Sequence, residues 1–458
     1  MTCNVRSRFI ISLIRRAILR LTIVLVVTPA VAESPLSIER AVNYALKNNP
    51  DLHVYQEQVM AAHEQYLSVD AASQPVISIS YSARVSDNPL DAFANKLYTR
   101  QITTQDFIPE KLNNPDTSEL YVTSLSLRWP IYSGGKIEAQ QMQKNVQHQQ
   151  SQMTYQRAKQ LTVFHTKQAY LYVIASHKAM KITEQATDAY QKHANSTAKL
   201  AKQERIVESD KLSAQVNLSA IKSQLEQSKT RYKNAITRLK HILGMKVNRA
   251  INVELHWPTV DETQENIDEL YNFALKNRVD LLAALKAIES ARANIDVANA
   301  TNNPKVDFVA SSNWYDENLG FDSQSSSLMA VASFNLYDGT RNGKVGAARA
   351  QHKEQQWRLE SLKQKVRSEV KQAHDGLLEA KSRVAIAKNN VILAKKTVGL
   401  VKKRYGRGRT ILLDLLQSER MYIDARLEKL TSEFNLKISQ LTLLSVVGLL
   451  EIPKENQH

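Results

Sequence analysis

The residues of this chain that could carry out catalysis are few and poorly spaced for it. Its eleven histidines never form the His-x-x-x-His pair of a zinc-binding helix. Residues 339–345 resemble a phosphate-binding loop, but one residue is missing between the glycines and Val345 replaces Ser or Thr. The single cysteine is Cys3, and no serine stands in a Gly-x-Ser-x-Gly turn. The sequence therefore predicts no enzyme, no cofactor and no metal.

A charged turn stands out instead, between two long helical tracts near the C-terminus. Gly406-Arg407-Gly408 lacks the third glycine of a dinucleotide-binding fingerprint, because Ile411 occupies its place. The turn therefore indicates a break between helices. Asp414 falls in the first turn of the following helix, where the helix dipole stabilises a carboxylate. That effect alone would explain an exposed acid at this position.

The N-terminal segment predicts that the protein is exported. Of 458 residues, 61 are Lys or Arg and 45 are Asp or Glu, which gives a net charge of +16. A basic stretch, an apolar run over 21–27 and Ala30-Val31-Ala32 predict a cleaved signal peptide over 1–32. Cleavage would remove five arginines and Cys3, leaving a charge of +11 and no thiol. Because the remaining cations are dispersed among acids along helices, nucleic acid is not an expected partner.

The rest of the chain contains an internal repeat, in which one unit occurs twice. Residues 45–48 (Ala-Leu-Lys-Asn) recur at 274–277, an offset of 229, whereas Tyr132 recurs as Tyr337 at an offset of 205. The 24 extra residues in the first copy are rich in Pro, Asn and Asp and are predicted to form a long loop. The first copy is predicted to span 33–266, with a helix, a β-hairpin over 76–131 and a helical hairpin over 135–244. The second is predicted to span 267–458, with a helix, a β-hairpin over 305–337 and a helical hairpin over 340–448.

Two proline-free tracts, 131–257 and 305–452, contain the long helices. Their apolar residues recur at alternating steps of three and four, most regularly from Val370 to Tyr405. A seven-residue repeat imposes a left-handed supercoil, and alanines on the seam let helices approach closely. At 1.5 Å per residue, the helix from Gly343 to Tyr405 would be about 95 Å long. Long coiled-coil hairpins are therefore expected.

Between the helical tracts the apolar period changes to two, which predicts two strands in each copy. Each strand has an apolar face and a polar face, with Trp129, Trp314 and Phe334 near the strand ends. Such segments are typical of transmembrane β-strands. The mean hydropathy of −0.38 and the lack of a long uncharged apolar run exclude a polytopic helical membrane protein.

Four strands cannot close a barrel in lipid, because open edges leave backbone groups unpaired. Copies of the chain must pool their strands, and three copies supply twelve, which suits a lumen wide enough for helices better than the eight strands of two. The expected fold class is therefore mainly α with a transmembrane β-barrel. The alternative is a soluble periplasmic coiled-coil adaptor or scaffold whose strands form a sandwich. Trp129, Trp314 and Phe334 would face lipid in the first case and a core in the second.

The chain resembles the TolC-like outer-membrane efflux proteins. The resemblance rests on residues 36–41 with Asn49-Pro50, on the strand-to-helix turns at 131–135 and 336–339, and on the tip at 405–414. It implies a homotrimer in the outer membrane of a Gram-negative bacterium, with a twelve-stranded barrel continuous with a periplasmic α-helical tunnel. It also implies a periplasmic adaptor (membrane fusion) protein and an inner-membrane transporter as partners, in efflux or type I secretion. The cargo and the pump stay open.

The resemblance also assigns roles to the two helical tips. Acids just past the second glycine tip line the closed constriction of this family, which implies Asp414 here, with Gln417 where a second Asp often stands. Three converging Asp414 carboxylates would repel one another, so other contacts must hold the gate shut, with Arg407 and Arg409 as candidates. The tips are also the implied adaptor-docking residues: Glu204 and Arg205 in the first, and Gly406, Arg407, Gly408 and Arg409 in the second. Because Glu204 replaces a frequent glycine, the geometry of the first tip is left open.

Overall fold

A computed structural model describes residues 35–204, 206–259, 266–318, 320–450 and 452. The predicted signal peptide and Arg205 lie outside these residues. The first copy contains these elements in chain order: α1 (Ile38–Asn48), α2 (Pro50–Asp70), β1 (Val76–Ser86), α3 (Pro89–Tyr98), α4 (Pro109–Asn113), β2 (Ser118–Tyr132), α5 (Lys136–Lys202) and α6 (Glu208–Ile242). The second copy contains α7 (Ile267–Asn277), α8 (Val279–Ala300), β3 (Lys305–Asp316), β4 (Ser323–Ser333), α9 (Arg341–Tyr405) and α10 (Leu412–Val447).

Two long helical hairpins dominate the molecule, as the mainly α fold class predicts. Helices α5 and α9 have 67 and 65 residues, so each is about 100 Å long at 1.5 Å per residue. Helix α6 returns along α5, and α10 returns along α9. The two copies also contact each other, because α5 packs against α8 and, less extensively, against α10 of the second hairpin. The seam alanines at 373, 380 and 387 are buried, which allows the close approach that the heptads predict.

An equivalent side-chain hydrogen bond, here called the clasp, joins two helices in each copy. Asn49 caps α2, and its Nδ2 donates to the carbonyl of Ile242 at the end of α6, at 2.7 Å. Arg278 stands at the equivalent place before α8, and its Nη1 donates to the carbonyl of Val446 near the end of α10, at 3.2 Å. In each copy one side chain therefore joins the start of a short helix to the end of the return helix.

The four strands form one antiparallel sheet in the order β1-β2-β3-β4. Its middle contact, β2 with β3, joins the two copies, while β1 and β4 are the two edges. One rung pairs Ser78 with Ser126, Ser126 with Ser311 and Ser311 with Ser327. We call the face that carries this rung the serine face. It consists of the even-numbered residues of β1 and β2 and the odd-numbered residues of β3 and β4.

The opposite face, here called the apolar face, is uncovered in the single chain. Ile77, Ile79 and Leu328 on this face are 66%, 74% and 77% exposed. Trp129 and Trp314 lie on the same face by strand register. Strand β4 ends at Ser333, so Phe334, predicted to lie on the strand, follows its last residue. The ladder stops there because Ser333 pairs with Lys305, the first residue of β3 after Pro304.

The connection between β1 and β2 is not the long loop that its composition predicts. It contains α3, a single 3-10 turn at Thr104–Phe107 and α4. Helix α3 begins because Asn88 accepts hydrogen bonds from the backbone N–H groups of Leu90 and Asp91, with Pro89 at the first helical position. Asn49-Pro50 starts α2 in the same way. Asn88 and Pro89, which contribute to the composition that predicts a loop, here start a helix.

Candidate gate at the helical tips

The second tip is a short turn that glycine makes possible. Only Gly408 has a positive φ, +70°, while Gly406 stays in the right-handed region at −61°. The carbonyl of Arg404 accepts hydrogen bonds from the backbone N–H groups of Arg407 and Arg409, at 3.1 and 2.9 Å. These bonds bind the last carbonyls of α9 and reverse the chain into α10. The turn therefore holds both arginine backbones against the end of the helix.

Asp414 and Gln417 lie on one exposed face of α10. Both side chains are exposed, and a spacing of three residues puts them on neighbouring positions of the helix surface. Asp414 accepts a hydrogen bond from the hydroxyl of Thr410. Within the described part of the chain neither Arg407 nor Arg409 forms an ion pair with it. Arg407 and Arg409 are exposed as well.

The first tip contains a residue, Glu204, in a left-handed backbone conformation that glycine adopts without strain. Helix α5 ends at Lys202, α6 begins at Glu208, and Glu204 has a φ of +52°. Its backbone N–H donates to the carbonyl of Ala201 at 3.0 Å. Side chains other than glycine are disfavoured in the left-handed region by Cβ contacts. Glu204 therefore adopts a backbone conformation that glycine adopts more readily, at a position where the family often has glycine. Arg205 lies outside the described residues.

Glu204→Gly is expected to stabilise the first tip. The substitution relieves the left-handed strain, worth about 1 kcal/mol, although glycine returns part of that gain through the entropy of the unfolded chain. Slower cleavage of the tip by a protease in native conditions would show it. Glu208→Gly, placed in the first turn of α6, is the matched control and should cleave faster. Equal acceleration by both substitutions would contradict the strain at Glu204.

The two hairpins are joined near their tips by buried polar contacts. His193 Nε2 lies 2.7 Å from Glu419 Oε1, and their side chains are only 15% and 11% exposed. The Tyr190 hydroxyl donates to the carbonyl of Leu416 at 3.3 Å. Burial, reinforced by the negative charge of Glu419, raises the pKa of Tyr190 to about 12, so its hydroxyl stays protonated as a donor. These bonds tie α5 of the first hairpin to α10 of the second.

An apolar cluster surrounds these bonds. Its buried members come from both hairpins: Ala186, Tyr190, Ala194, Ala214, Leu218, Ile221, Leu412, Leu416 and Ile423. Helix α10 therefore cannot slide along α5 without breaking both the packing and the pair of His193 with Glu419. Sequence analysis did not single out His193 or Glu419, because no local pattern links residues 226 positions apart. A titratable residue at a buried seam position was the available signal.

Within residues 35–204, 206–259, 266–318, 320–450 and 452, no three His, Cys, Asp or Glu side chains are grouped to hold a metal ion. None of the helices in this part of the chain combines the length and the apolar character that crossing a membrane requires.

Comparison with known proteins gives one family. The profile of the outer membrane efflux protein family matches residues 41–245 and 270–449, and therefore both copies. A search of curated proteins found no match.

Solved structures share the fold at low sequence identity. A membrane protein from Pseudomonas aeruginosa is 18% identical, with a TM-score of 0.76 over 90% of this chain and 92% of that one. The CmeC outer membrane channel of Campylobacter jejuni is 16% identical, with a TM-score of 0.76 over 90% and 85%. The open-state MtrE outer membrane channel of Neisseria gonorrhoeae is 15% identical, with a TM-score of 0.72 over 90% and 88%.

These matches favour the channel over the soluble adaptor or scaffold. They agree with the uncovered apolar face of the sheet, which a sandwich would have buried. The family is one of channels rather than enzymes. The fold is a long helical tunnel segment joined to a four-stranded share of a β-barrel. The chain belongs to the outer membrane efflux protein family, and it is an exit duct of the Gram-negative outer membrane that serves efflux systems.

Proposed function

We propose that three copies of this chain form one duct, closed at the helical tips and opened by partner proteins. The observation that carries the proposal is the sheet, which has two unpaired edges, β1 and β4, and an apolar face open to the surroundings. Lipid tolerates only closed sheets, and three sheets of four strands close into twelve. Pairing β1 of one copy with β4 of the next leaves no free edge.

In this assembly the apolar face meets lipid and the serine face lines the bore. Trp129 and Trp314 then lie at the lipid side, as proposed from the sequence, and Phe334 extends the same face beyond β4. The serines of the rung contribute hydroxyl groups that hydrate a passage for polar solutes. The duct itself supplies no energy, so a transporter in the inner membrane drives export.

The gate is proposed at Asp414, with Gln417 one helical turn deeper. Both side chains are exposed in the single chain and are available to line a constriction shared by three copies. A ring of three carboxylates attracts cations and rejects anions, because like charges close together raise the local negative potential. Opening slides α10 against α5, which requires the contact between His193 and Glu419 to break.

The tips are proposed to dock the periplasmic adaptor protein, which in turn contacts the inner-membrane transporter. In the second tip Arg407 and Arg409 are exposed, and their backbones are fixed by Arg404. Glu204 is exposed in the first tip, and Arg205 is proposed to belong to the same surface. A rigid turn with outward-facing charges suits a partner of complementary charge.

Asp414→Asn is expected to lower the preference for K⁺ over Cl⁻ in planar-bilayer recordings of the purified protein. Removing the charge from a ring at the narrowest point removes the attraction for cations. Asp375→Asn on α9, an exposed acid paired with Lys371, is the control and should leave the preference unchanged. If wild-type protein does not conduct ions even in conditions that open the helical tips, the proposed duct is contradicted. If Asp414→Asn has the selectivity of wild type, only the proposed gate is contradicted.

A further inference from the structure

Helix α3 crosses the outer end of the sheet from one edge to the other. Asp91 accepts a hydrogen bond from Ser86 of β1 at 2.8 Å, and Asn95 donates to Ser118 of β2 at 2.9 Å. Tyr98 stacks on Tyr315 of β3 with ring centroids 4.7 Å apart. Just past the helix, the Thr99 carbonyl accepts from Ser323 of β4 at 2.8 Å. Taken in chain order, these four residues therefore contact β1, β2, β3 and β4 in turn.

All the strand side chains that hold α3 belong to the serine face. The rung fixes this face as the even-numbered positions of β1 and β2 and the odd-numbered positions of β3 and β4. Ser86, Ser118, Tyr315 and Ser323 all satisfy that parity. Leu120, at another even position of β2, is buried at the same end. In the proposed assembly the serine face lines the bore, and so α3 lies inside its outer mouth.

Hydrogen bonds also hold the connection between α3 and β2 in place. Asp106 accepts hydrogen bonds from the backbone N–H and the hydroxyl of Thr103, and Lys96 of α3 lies 2.5 Å from its other carboxylate oxygen. These hydrogen bonds, that from Lys96 first, lower the pKa of Asp106 to about 2, so the carboxylate keeps its charge in ordinary conditions. Arg100 adds a bond from Nη2 to the carbonyl of Gln324 at 2.8 Å.

The side of α3 that points away from the sheet is apolar. Ala92 and Asn95 are buried against the strands, while Leu90 and Leu97 are 75% and 53% exposed. At 100° per residue, the two leucines lie within about 20° of each other and almost opposite Ala92 and Asn95. Together with Ala94 between them, the two exposed leucines form one apolar patch on an ordered helix, and such a patch favours a partner that covers it.

The size of a twelve-stranded barrel decides which partner fits. Strands about 4.8 Å apart and tilted by about 40° give a circumference near 75 Å and a backbone diameter of about 24 Å. A helix with its side chains is about 10 Å wide. Three copies of α3, one on each sheet, therefore project far enough to meet around the axis.

We propose that the apolar sides of three α3 helices, with Leu90 and Leu97 at their centre, pack against one another and form an apolar constriction at the outer mouth of the duct. This inference rests on the trimer proposed above, and the contact is continuous with the pairing of β1 and β4 between copies, since α3 spans both edges. An apolar ring resists the passage of water and ions. The duct then has a barrier at each end, charged at the tips and apolar at the mouth.

Site-specific cross-linking tests the contact, because the only cysteine of the chain is Cys3. In a Cys3→Ser background, Leu97→Cys and Leu90→Cys are each introduced alone, and the purified protein is treated with a mild oxidant or a short bifunctional maleimide. Three equivalent thiols near an axis are expected to give covalent dimers involving up to two of every three chains. Val85→Cys is the control, because Val85 lies at the same height on the apolar face, 64% exposed, and its copies would be about 20 Å apart.

The outcomes separate this inference from the function on which it rests. A trimer by native mass measurement that cross-links at residue 97 or 90 but not at 85 supports the constriction. A trimer that cross-links at neither position overturns it and leaves the duct intact. A monomer in detergent overturns the trimer and the constriction together. In bilayers with released tips, Leu90→Ser combined with Leu97→Ser should raise conductance at least about twofold; an unchanged conductance would also overturn the constriction.

Discussion

Replacing Arg278 by Met is expected to destabilise the protein by about 3 kcal/mol, because it removes the nearest cation from two partly buried carboxylates, Asp280 and Glu369. Arg278 is only 3% exposed, and its guanidinium lies 2.6 Å from Asp280 Oδ2 and 2.6 Å from Glu369 Oε2. The same group donates to the carbonyl of Val446. The substitution therefore removes an ion pair to α8, another to α9 and the clasp on α10 at once.

The titration of this site predicts how its contribution depends on pH. Burial opposes ionisation of Asp280, but the hydrogen bonds and charge of Arg278 outweigh it and hold the pKa of Asp280 below its usual 3.8. A carboxylate whose pKa is lower in the folded state stabilises the fold above its unfolded pKa and loses that effect as the pH falls. The difference between wild type and Arg278→Met should therefore be complete at pH 7 and shrink below about pH 4.

Unfolding in urea, followed by helical circular dichroism in detergent at pH 7 and pH 3, measures both expectations. The triple variant Arg278→Met, Asp280→Asn, Glu369→Gln is the control, since removing all three charges together leaves neither acid ionised without its nearest cation and should recover much of the loss. Asn49→Ala tests the equivalent clasp in the first copy, where only neutral hydrogen bonds are lost, about 1 kcal/mol each. A loss below 1 kcal/mol in Arg278→Met would contradict the role of the pair.

The parts of the fold that periodicity controls could be predicted from the sequence. The seam from Val370 to Tyr405 predicts α9, and the alternation around the serine rung predicts the sheet, because each pattern reports which face of an element is buried or apolar. The turn at Gly406–Gly408 follows from the helix-breaking glycines. These signals are local, so one chain is enough to read them.

Contacts between distant residues were the part that could not be predicted. The offset of 229 aligns Asn49 with Arg278. One is an amide and the other a guanidinium, yet both donate to a carbonyl at the end of the return helix, and no sequence pattern predicts that contact. The pair of His193 with Glu419 joins residues 226 positions apart. Helix α3 was missed because Asn88-Pro89 starts a helix or a turn equally well, and the packing of α3 on the sheet decides between them.

Truncating Glu419 to Ala is expected to raise the open probability of the duct at least about tenfold. Removing one partner of a buried hydrogen-bonded pair costs about 2–5 kcal/mol, and 1.4 kcal/mol changes an equilibrium tenfold. In the opening movement proposed above, α10 slides along α5 and separates Glu419 from His193, so the substitution weakens only the closed state. Each of the three copies contributes, so the closed state is weakened three times over.

The choice of control variants separates loss of the contact from loss of structure. Glu419→Gln keeps an oxygen that can accept from His193 Nε2 and should therefore have a smaller effect than Glu419→Ala. Asp424→Ala, one turn further along α10, removes an exposed partner of Arg420 at 4.0 Å, and such pairs contribute about 0–1 kcal/mol. Single-channel recording in planar bilayers gives the open probability, and unfolding in urea shows whether each variant folds. If Glu419→Ala folds but stays as closed as Asp424→Ala, the barrier between the states lies elsewhere, and Asp414 becomes the first residue to test in its place.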